Sequence, residues 1–161
     1  MNAFEQLVQA ESEGQVNELR NRIEQEGYPV FRRFLDRFHT YLKALQEDQE
    51  EEVLNLIAKA RRVIPSPGKL SPSWAYIWDH LASMAQYKLK VLHSVSPEDR
   101  DGEWQILIDN PFVNREVACY PGLSFDDAAY IYAKFRPGLE HNEYIRLQKI
   151  QTHVTEFGDR K

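Results

Sequence analysis

The sequence predicts a mainly α-helical, bundle-like single domain with a small β-hairpin near residues 104–120. Apolar residues recur at helical spacing through most of the first 95 residues, two short β-prone runs follow, and the remaining segments return to helical spacing. We therefore expect five to six amphipathic helices within one domain over residues 1–161. The alternative is a division into a helical bundle over 1–95 and a hairpin with two helices over 103–157.

Residues 3–26 are predicted to be helical with one interruption near Gly14. Ser12 and Gln15 have the spacing of a capping box, in which two side chains satisfy the first free backbone N–H groups of a helix. A helix therefore restarts there, and Gly27 marks its end because glycine is the usual residue after a helix C-terminus.

The next helix has the most regular apolar face of the chain. Pro29 suits its first turn, where a backbone N–H would have no helical partner. At about 100° per residue, its apolar residues form one continuous arc. These residues are Val30, Phe31, Phe34, Leu35, Phe38, Tyr41, Leu42 and Leu45. Asp36 and His39 lie outside the arc, so we expect both side chains to face solvent.

A further helix is predicted to begin near Asp48, with Glu51 three residues later as a capping partner. Acidic residues in its first turn and basic residues in its last turn both suit the helix dipole. Its predicted buried face consists of Val53, Leu54, Ile57, Ala60 and Ile64.

Residues 65–72 are predicted to form a loop, because three prolines cannot continue a helix. Ser71 and Pro72 are a favourable cap and first residue for the helix that follows, which extends to about Val95. Its broad apolar face consists of Trp74, Ile77, Trp78, Leu81, Met84, Ala85, Leu89 and Leu92.

The last third of the chain begins with the β-prone runs 104–108 and 116–120, which a turn signal at 109–111 separates. Ser124 with Asp127 then predicts the start of a helix that ends near Phe135. A last helix is predicted from about Glu140 to Phe157. Its narrow apolar stripe would consist of Leu147, Ile150, Val154 and Phe157.

The composition limits the classes of function. The formal net charge of −5 opposes general binding to nucleic acid, whose phosphates are also negative. The apolar runs are shorter than a membrane span, and the N-terminus lacks the pattern of a signal peptide. We therefore expect a cytoplasmic protein that binds neither nucleic acid nor membrane. Cys119 is the only cysteine, and we expect it to be a buried structural thiol.

One stripe of side chains is the main candidate site. Tyr76, His80, Ser83 and Tyr87 occur at positions i, i+4, i+7 and i+11, beside the apolar face of their helix. They line either a pocket with His80 as a general base or an amphipathic boundary with half-buried rings. We favour the boundary. Tyr76 and Tyr87 also suggest self-association, because tyrosines often anchor interfaces between protein chains.

Six basic side chains form two further candidate patches. They are Arg32, Arg33 and Arg37 on one predicted helix, and Lys59, Arg61 and Arg62 on another. If the two groups met in space, they would form a cationic surface for an anionic partner. The simpler interpretation is that both are solvated helix faces.

Metal-binding and catalytic motifs are weak or missing. Asp36 with His39, and His153 with Glu156, have the i, i+3 spacing of helical metal ligands, but we predict no metal site and no cofactor. The sequence has no phosphate-binding loop, nucleophile elbow or paired-cysteine motif.

We therefore favour a non-catalytic protein–protein interaction or regulatory module that binds another protein or itself. The first alternative is a small-molecule-binding protein or small enzyme that uses Tyr76, His80 and Tyr87. A weaker alternative is a metal-binding helical bundle.

Overall fold

The computed structural model describes residues 2–63, 72–110 and 115–151. Within these ranges it contains six α-helices and one three-stranded antiparallel sheet, which confirms the predicted fold class. The helices are α1 (Ala3–Gln9), α2 (Glu13–Glu26), α3 (Tyr28–Ala44), α4 (Glu50–Val63), α5 (Pro72–Ser94) and α6 (Phe125–Phe135). The strands are β1 (Glu103–Asn110), β2 (Arg115–Leu123) and β3 (Tyr144–Ile150). Short 3-10 turns occupy Glu47–Gln49, Pro97–Asp99 and Arg136–Gly138.

The predicted helix boundaries follow from local hydrogen bonding. The Ser12 side chain accepts from the backbone N–H of Gln15, and the Gln15 side chain accepts from that of Ser12, so α2 begins with a capping box. Gly27 lies between α2 and α3 with φ of 75°, a conformation that glycine adopts readily. Ser124 accepts from the backbone N–H of Asp127 at 3.2 Å and starts α6.

A first apolar cluster joins α1 to α5, with α3 at its centre. The predicted arc of α3 is buried, apart from the half-buried ring of Tyr41. The Phe38 ring lies 5.0 Å from the Trp78 ring of α5 and 5.9 Å from the Phe4 ring of α1, centroid to centroid. Aromatic packing of this kind holds the three helices together.

The predicted face of α4 needs a correction. Leu54 is 43% exposed, whereas Leu56 and Val63 are buried. Leu56 and Ile57 lie three and four residues after Val53, so they belong to the same helix face. Leu54 lies one residue after Val53 and falls outside that face. Predictions for Ile64, for the loop at 65–71 and for the side chain of Trp74 fall outside the described residues. None of the described helices is both long and apolar enough to cross a membrane.

A second apolar cluster lies between the sheet and α6. Alternate side chains of β1, namely Trp104, Ile106 and Ile108, point to the face of the sheet that α6 covers. They belong to one cluster with Phe125 of α6, whose ring contacts that of Trp104. The C-terminal turns of α5 also contribute to it. Both α5 and α6 place residues in the two clusters, because Leu89 and Ala133 belong to the first while Leu92 and Ala129 belong to the second.

The predicted hairpin is present, since β1 and β2 pair in antiparallel fashion. The predicted last helix is wrong over its described part, because Tyr144–Ile150 forms β3 on the other side of β1. Ile145 and Leu147 alternate with polar side chains, and they pair with Ile108 and Ile106 of β1. This period of two is typical of a strand. The helix was predicted because Leu147 and Ile150, three residues apart, also fit the spacing of one helix face.

Candidate functional site

The predicted stripe on α5 forms part of a shallow concavity. Tyr76, His80 and Ser83 line a space of about 160 Å³ together with Asp79 and Pro137. This space is smaller than the roughly 300–1,000 Å³ of typical small-molecule pockets. The structure therefore brings together three of the four predicted residues.

The fourth residue of the stripe, Tyr87, has a different environment. Its half-buried ring packs against the first cluster, and the Arg136 guanidinium carbon lies 4.8 Å from the ring centroid. Tyr76 is 73% exposed, while His80 and Ser83 are half-buried. A gradient from an exposed to a packed ring is the geometry expected of an amphipathic boundary. The role of the stripe in binding stays a prediction.

The expectation that His39 faces solvent is wrong. Its ring is half-buried between α3 and α6, and its Nδ1 atom lies within hydrogen-bond distance, 3.2 Å, of the Tyr130 hydroxyl. Burial lowers the pKa of His39, and the positive charge of Lys134 lowers it further, while Asp36 acts in the opposite direction. Asp36 itself is exposed, as expected. The periodicity of α3 alone did not indicate that α6 would cover this ring.

Within the described part of the chain, no group of three or more histidine, cysteine, aspartate or glutamate side chains is arranged to hold a metal ion. His153 and Glu156 lie outside that part. Cys119 was expected to be buried, but it is exposed. It pairs with Leu107 of β1, whose side chain points away from the second cluster that its neighbours Ile106 and Ile108 join.

The two basic patches lie on different helices with local uses for their charges. The guanidinium of Arg32 pairs with Asp36 one turn away at 3.1 Å, and Arg62 pairs with Glu13 of α2. α4 packs mainly on α2, whereas α3 packs mainly on α1 and α5. Arg33, Arg37 and Arg61 are exposed and Lys59 is half-buried. These placements agree with solvated helix faces rather than with one shared patch.

A larger groove, which the sequence did not reveal, lies at the C-terminal end of α5. It has a volume of about 380 Å³. One wall is formed by Lys90, Val91 and Ser94 of α5 together with Val95, which follows the helix, and the opposite wall by Ile145, Arg146, Leu147 and Gln148 of β3. Tyr132 of α6 lines the space between these walls. The groove therefore follows the outer side of a strand.

The position of β3 in the sheet makes this groove distinctive. The strand order is β2-β1-β3, so β3 is an edge strand within the described residues, with β1 as its one neighbour there. The outer edge of such a strand presents backbone N–H and C=O groups that its own sheet does not pair. The alternation of Ile145 with Leu147 was the sequence signal for this strand.

One exposed positive charge, that of Lys90, lies in the groove wall. Among the described residues, the groove lining includes Lys90 and Arg146 but no aspartate or glutamate. Arg146 is engaged inside the sheet, since its Nη2 atom lies 2.5 Å from Asp109 Oδ2. Lys90 is exposed on α5.

Lys88 is the least expected side chain of the chain. It is 1% exposed, and its ammonium donates hydrogen bonds to the carbonyls of Leu42 and Lys43, at 2.8 and 2.7 Å. These carbonyls belong to the last turn of α3, where a positive charge is favourable. Burial lowers the pKa of Lys88 to about 8, against the opposing effect of Asp126. This arrangement joins α5 to α3 and has no need of a ligand.

No protein-family model matches this chain, and comparisons with curated proteins and with solved structures also found no match. The geometry of the groove and of the α5 stripe is therefore what supports a function.

Proposed function

We propose that this chain is a non-catalytic protein-interaction module that binds an extended segment of another protein as an added strand along β3. The observation that carries the proposal is the groove between an edge strand and a helix. Extended peptides commonly add to exposed sheet edges, where backbone hydrogen bonds give affinity and side-chain pockets give specificity. Within the described residues, β3 has one neighbouring strand and a lined groove on its α5 side, and both features support the proposal.

The dimensions suit such a segment. β3 has seven residues, which corresponds to about 23 Å of edge at roughly 3.3 Å per residue. Alternate side chains of an added strand would point towards α5, into the space lined by Val91, Val95, Ile145 and Leu147. A segment of about seven residues would thus place three or four side chains along the groove.

The same features favour the groove over the α5 stripe as the main contact surface. The groove has more than twice the volume of the stripe's concavity, 380 against 160 Å³. Much of the stripe's apolar area at Tyr87 already packs within the chain. The alternative function as an enzyme has the weaker support, because it depends on the smaller space around His80.

The proposal is tested by selecting binders from a displayed library of random ten-residue peptides on the purified protein. In NMR spectra, selected peptides should shift and protect the backbone amides of β3. Ser94 is exposed in the groove wall, so Ser94→Trp should fill the space and weaken binding at least tenfold. Gln86→Trp is the matched control, since Gln86 is exposed on the same helix but outside the groove lining.

Three outcomes would overturn the proposal. One is a library that yields no peptide, or peptides whose binding is unchanged by Ser94→Trp. Another would come from light scattering. If the wild-type protein has twice the chain mass of 18.9 kDa and Ser94→Trp has the mass of one chain, the occupant of the groove is a second copy of this chain. The third is peptide binding seen only after residues 152–161 are removed, which would identify the chain's own terminal segment.

A further inference from the structure

We infer that the segment bound along β3 presents an acidic side chain two residues away from an apolar one, with both pointing towards α5. This inference rests on the proposed function, and it names the chemistry of the partner. Two properties of the groove carry it, namely the apolar character of its floor and the sign of the charge on its α5 wall.

The apolar part of the segment follows from the groove lining. Val95 directly follows α5 and donates its backbone N–H to the carbonyl of Val91, so the two residues lie one turn apart. Both line the groove on the side opposite Ile145 and Leu147. Ile145 and Val91 are almost fully buried, so they lie at the bottom of the two walls and make the floor of the groove apolar. An aliphatic side chain placed there would remove further apolar surface from water.

The acidic part follows from Lys90. Lys90 supplies the positive charge on the α5 wall. Arg146 also lines the groove, but it alternates with Ile145 and Leu147 along β3, and its guanidinium pairs with Asp109 on the other face of the sheet. Lys90 is exposed, and it forms no ion pair with a carboxylate in the described part of the chain. Since no carboxylate from residues 2–63, 72–110 or 115–151 lines the groove, a carboxylate on the bound segment would complement this charge.

The spacing follows from the geometry of a helix beside a strand. Lys90 precedes Ser94 by four residues, so the two lie about 6 Å apart along the helix axis at roughly 1.5 Å per residue. Side chains at i and i+2 of a strand lie on one face about 6.6–6.8 Å apart. For a bound strand that runs alongside α5, an apolar side chain level with Ser94 and Val95 places a carboxylate two residues away level with Lys90.

The inference is tested by comparing the peptide pools selected on the wild-type protein and on Lys90→Glu. We expect aspartate or glutamate to be enriched two residues from an apolar anchor on the wild type. On Lys90→Glu, lysine or arginine should replace it at that position. Lys134→Glu is the control for net charge, because Lys134 is also exposed but lies outside the groove lining.

Affinities of the best wild-type peptide complete the test. Replacing its carboxylate with the isosteric amide should weaken binding about twofold to fivefold, as for a partly exposed ion pair. Replacement with lysine should weaken it about tenfold, and Lys90→Glu should reverse the order of the three peptides. At 1 M salt, where the screening length is about 3 Å, the preference should largely disappear.

Failure of this inference is distinguishable from failure of the proposed function. Peptides that need the groove, as judged by Ser94→Trp, but bind equally well with an acidic, neutral or basic residue would overturn the acidic preference alone. Peptides that do not bind at β3 would overturn both.

Discussion

The two apolar clusters of this molecule differ in how much of their structure the local sequence reveals, because helices build the first cluster and paired strands build much of the second. In the first cluster, each helix carries its apolar face within a single segment, as the arc of α3 from Val30 to Leu42 illustrates. In the second, Ile106 and Ile108 of β1 meet Leu147 and Ile145 of β3 about 40 residues later in the chain. Local periodicity therefore describes the first cluster well and the second poorly.

The clusters also differ in how completely they are covered. The helices around α3 cover one another, and its three phenylalanines, Phe31, Phe34 and Phe38, are at most 1% exposed. The second cluster ends at β3, whose outer side forms the groove beside α5. The region that sequence periodicity describes best is thus the closed core, while the candidate binding surface lies where long-range strand pairing decides the structure.

The largest expected effect comes from breaking the first cluster. Phe38 is fully buried against Trp78 and Phe4, so Phe38→Ala should lower the free energy of unfolding by about 3–5 kcal/mol. Urea denaturation followed by circular dichroism measures this loss. Leu54→Ala is the control, because Leu54 is 43% exposed and its loss should cost less than about 1 kcal/mol.

The same experiment sharpens the comparison of the clusters. If α5 and α6 couple the two clusters into the single domain that we expect, each protein should unfold in one step. In the wild type, the NMR signals of β1 and the helical signal should then disappear at one urea concentration. In Phe38→Ala, both should disappear together at a lower concentration. Survival of the β1 signals after the helices unfold would favour the division near residues 95–103. A loss of stability below about 1 kcal/mol would contradict the central place of Phe38.

The sequence predicted most of the first cluster because helix signals are local. The capping box at Ser12, the break at Gly27 and the arc of α3 each depend on residues within one or two turns. β3 was mistaken for a helix because its alternating pair Ile145 and Leu147 is short, and a strand is stable only with a neighbour that the sequence does not identify.

The candidate surfaces show the same limit. Tyr76, His80 and Ser83 share a helix, so their alignment was predictable. The groove joins α5 to β3, and neither segment indicates the other. Lys88 did have a local signal, because it falls between Ala85 and Leu92 on the apolar face of α5. Its two carbonyl partners on α3 depend on tertiary packing and could not be inferred from that position.

A smaller effect is expected at Lys88, which joins α5 to the end of α3 in the first cluster. Lys88→Met would leave the carbonyls of Leu42 and Lys43 without their donor, so we expect a loss of about 1–3 kcal/mol in the free energy of unfolding at pH 7. Urea titrations of both proteins at pH 7 measure it. A variant as stable as the wild type would mean that the cost of burying the ammonium cancels its hydrogen bonds.

The pH dependence gives an independent measure of the same burial. The folded pKa of Lys88, about 8, lies below the ordinary value of 10.5, so the unfolded chain binds more protons between these values. The free energy of unfolding of the wild type should therefore rise between pH 8 and 10.5 relative to Lys88→Met, by about 2–3 kcal/mol. Parallel stability curves for the two proteins would contradict the lowered pKa.

The smallest effect is expected at His39, where α3 of the first cluster meets α6. Its pKa is lowered, chiefly by burial, so below about pH 6.5 the unfolded chain takes up a proton more readily than the folded chain. Stability should therefore fall as the pH decreases from 7.5 to 5. Because the ring is only half-buried, we expect this contribution to be below about 1 kcal/mol. Urea denaturation at a series of pH values measures it.

His39→Gln isolates this contribution, because glutamine does not titrate and keeps a polar group near the Tyr130 hydroxyl. On protonation, the imidazolium would face repulsion from Lys134 and His80, while Asp36 would offset part of it. The stability advantage of the wild type over His39→Gln should consequently shrink towards pH 5. A constant difference between the two proteins would show that α6 covers the ring without hindering its protonation. In that case the contact between the two clusters at this point would be a packing contact alone.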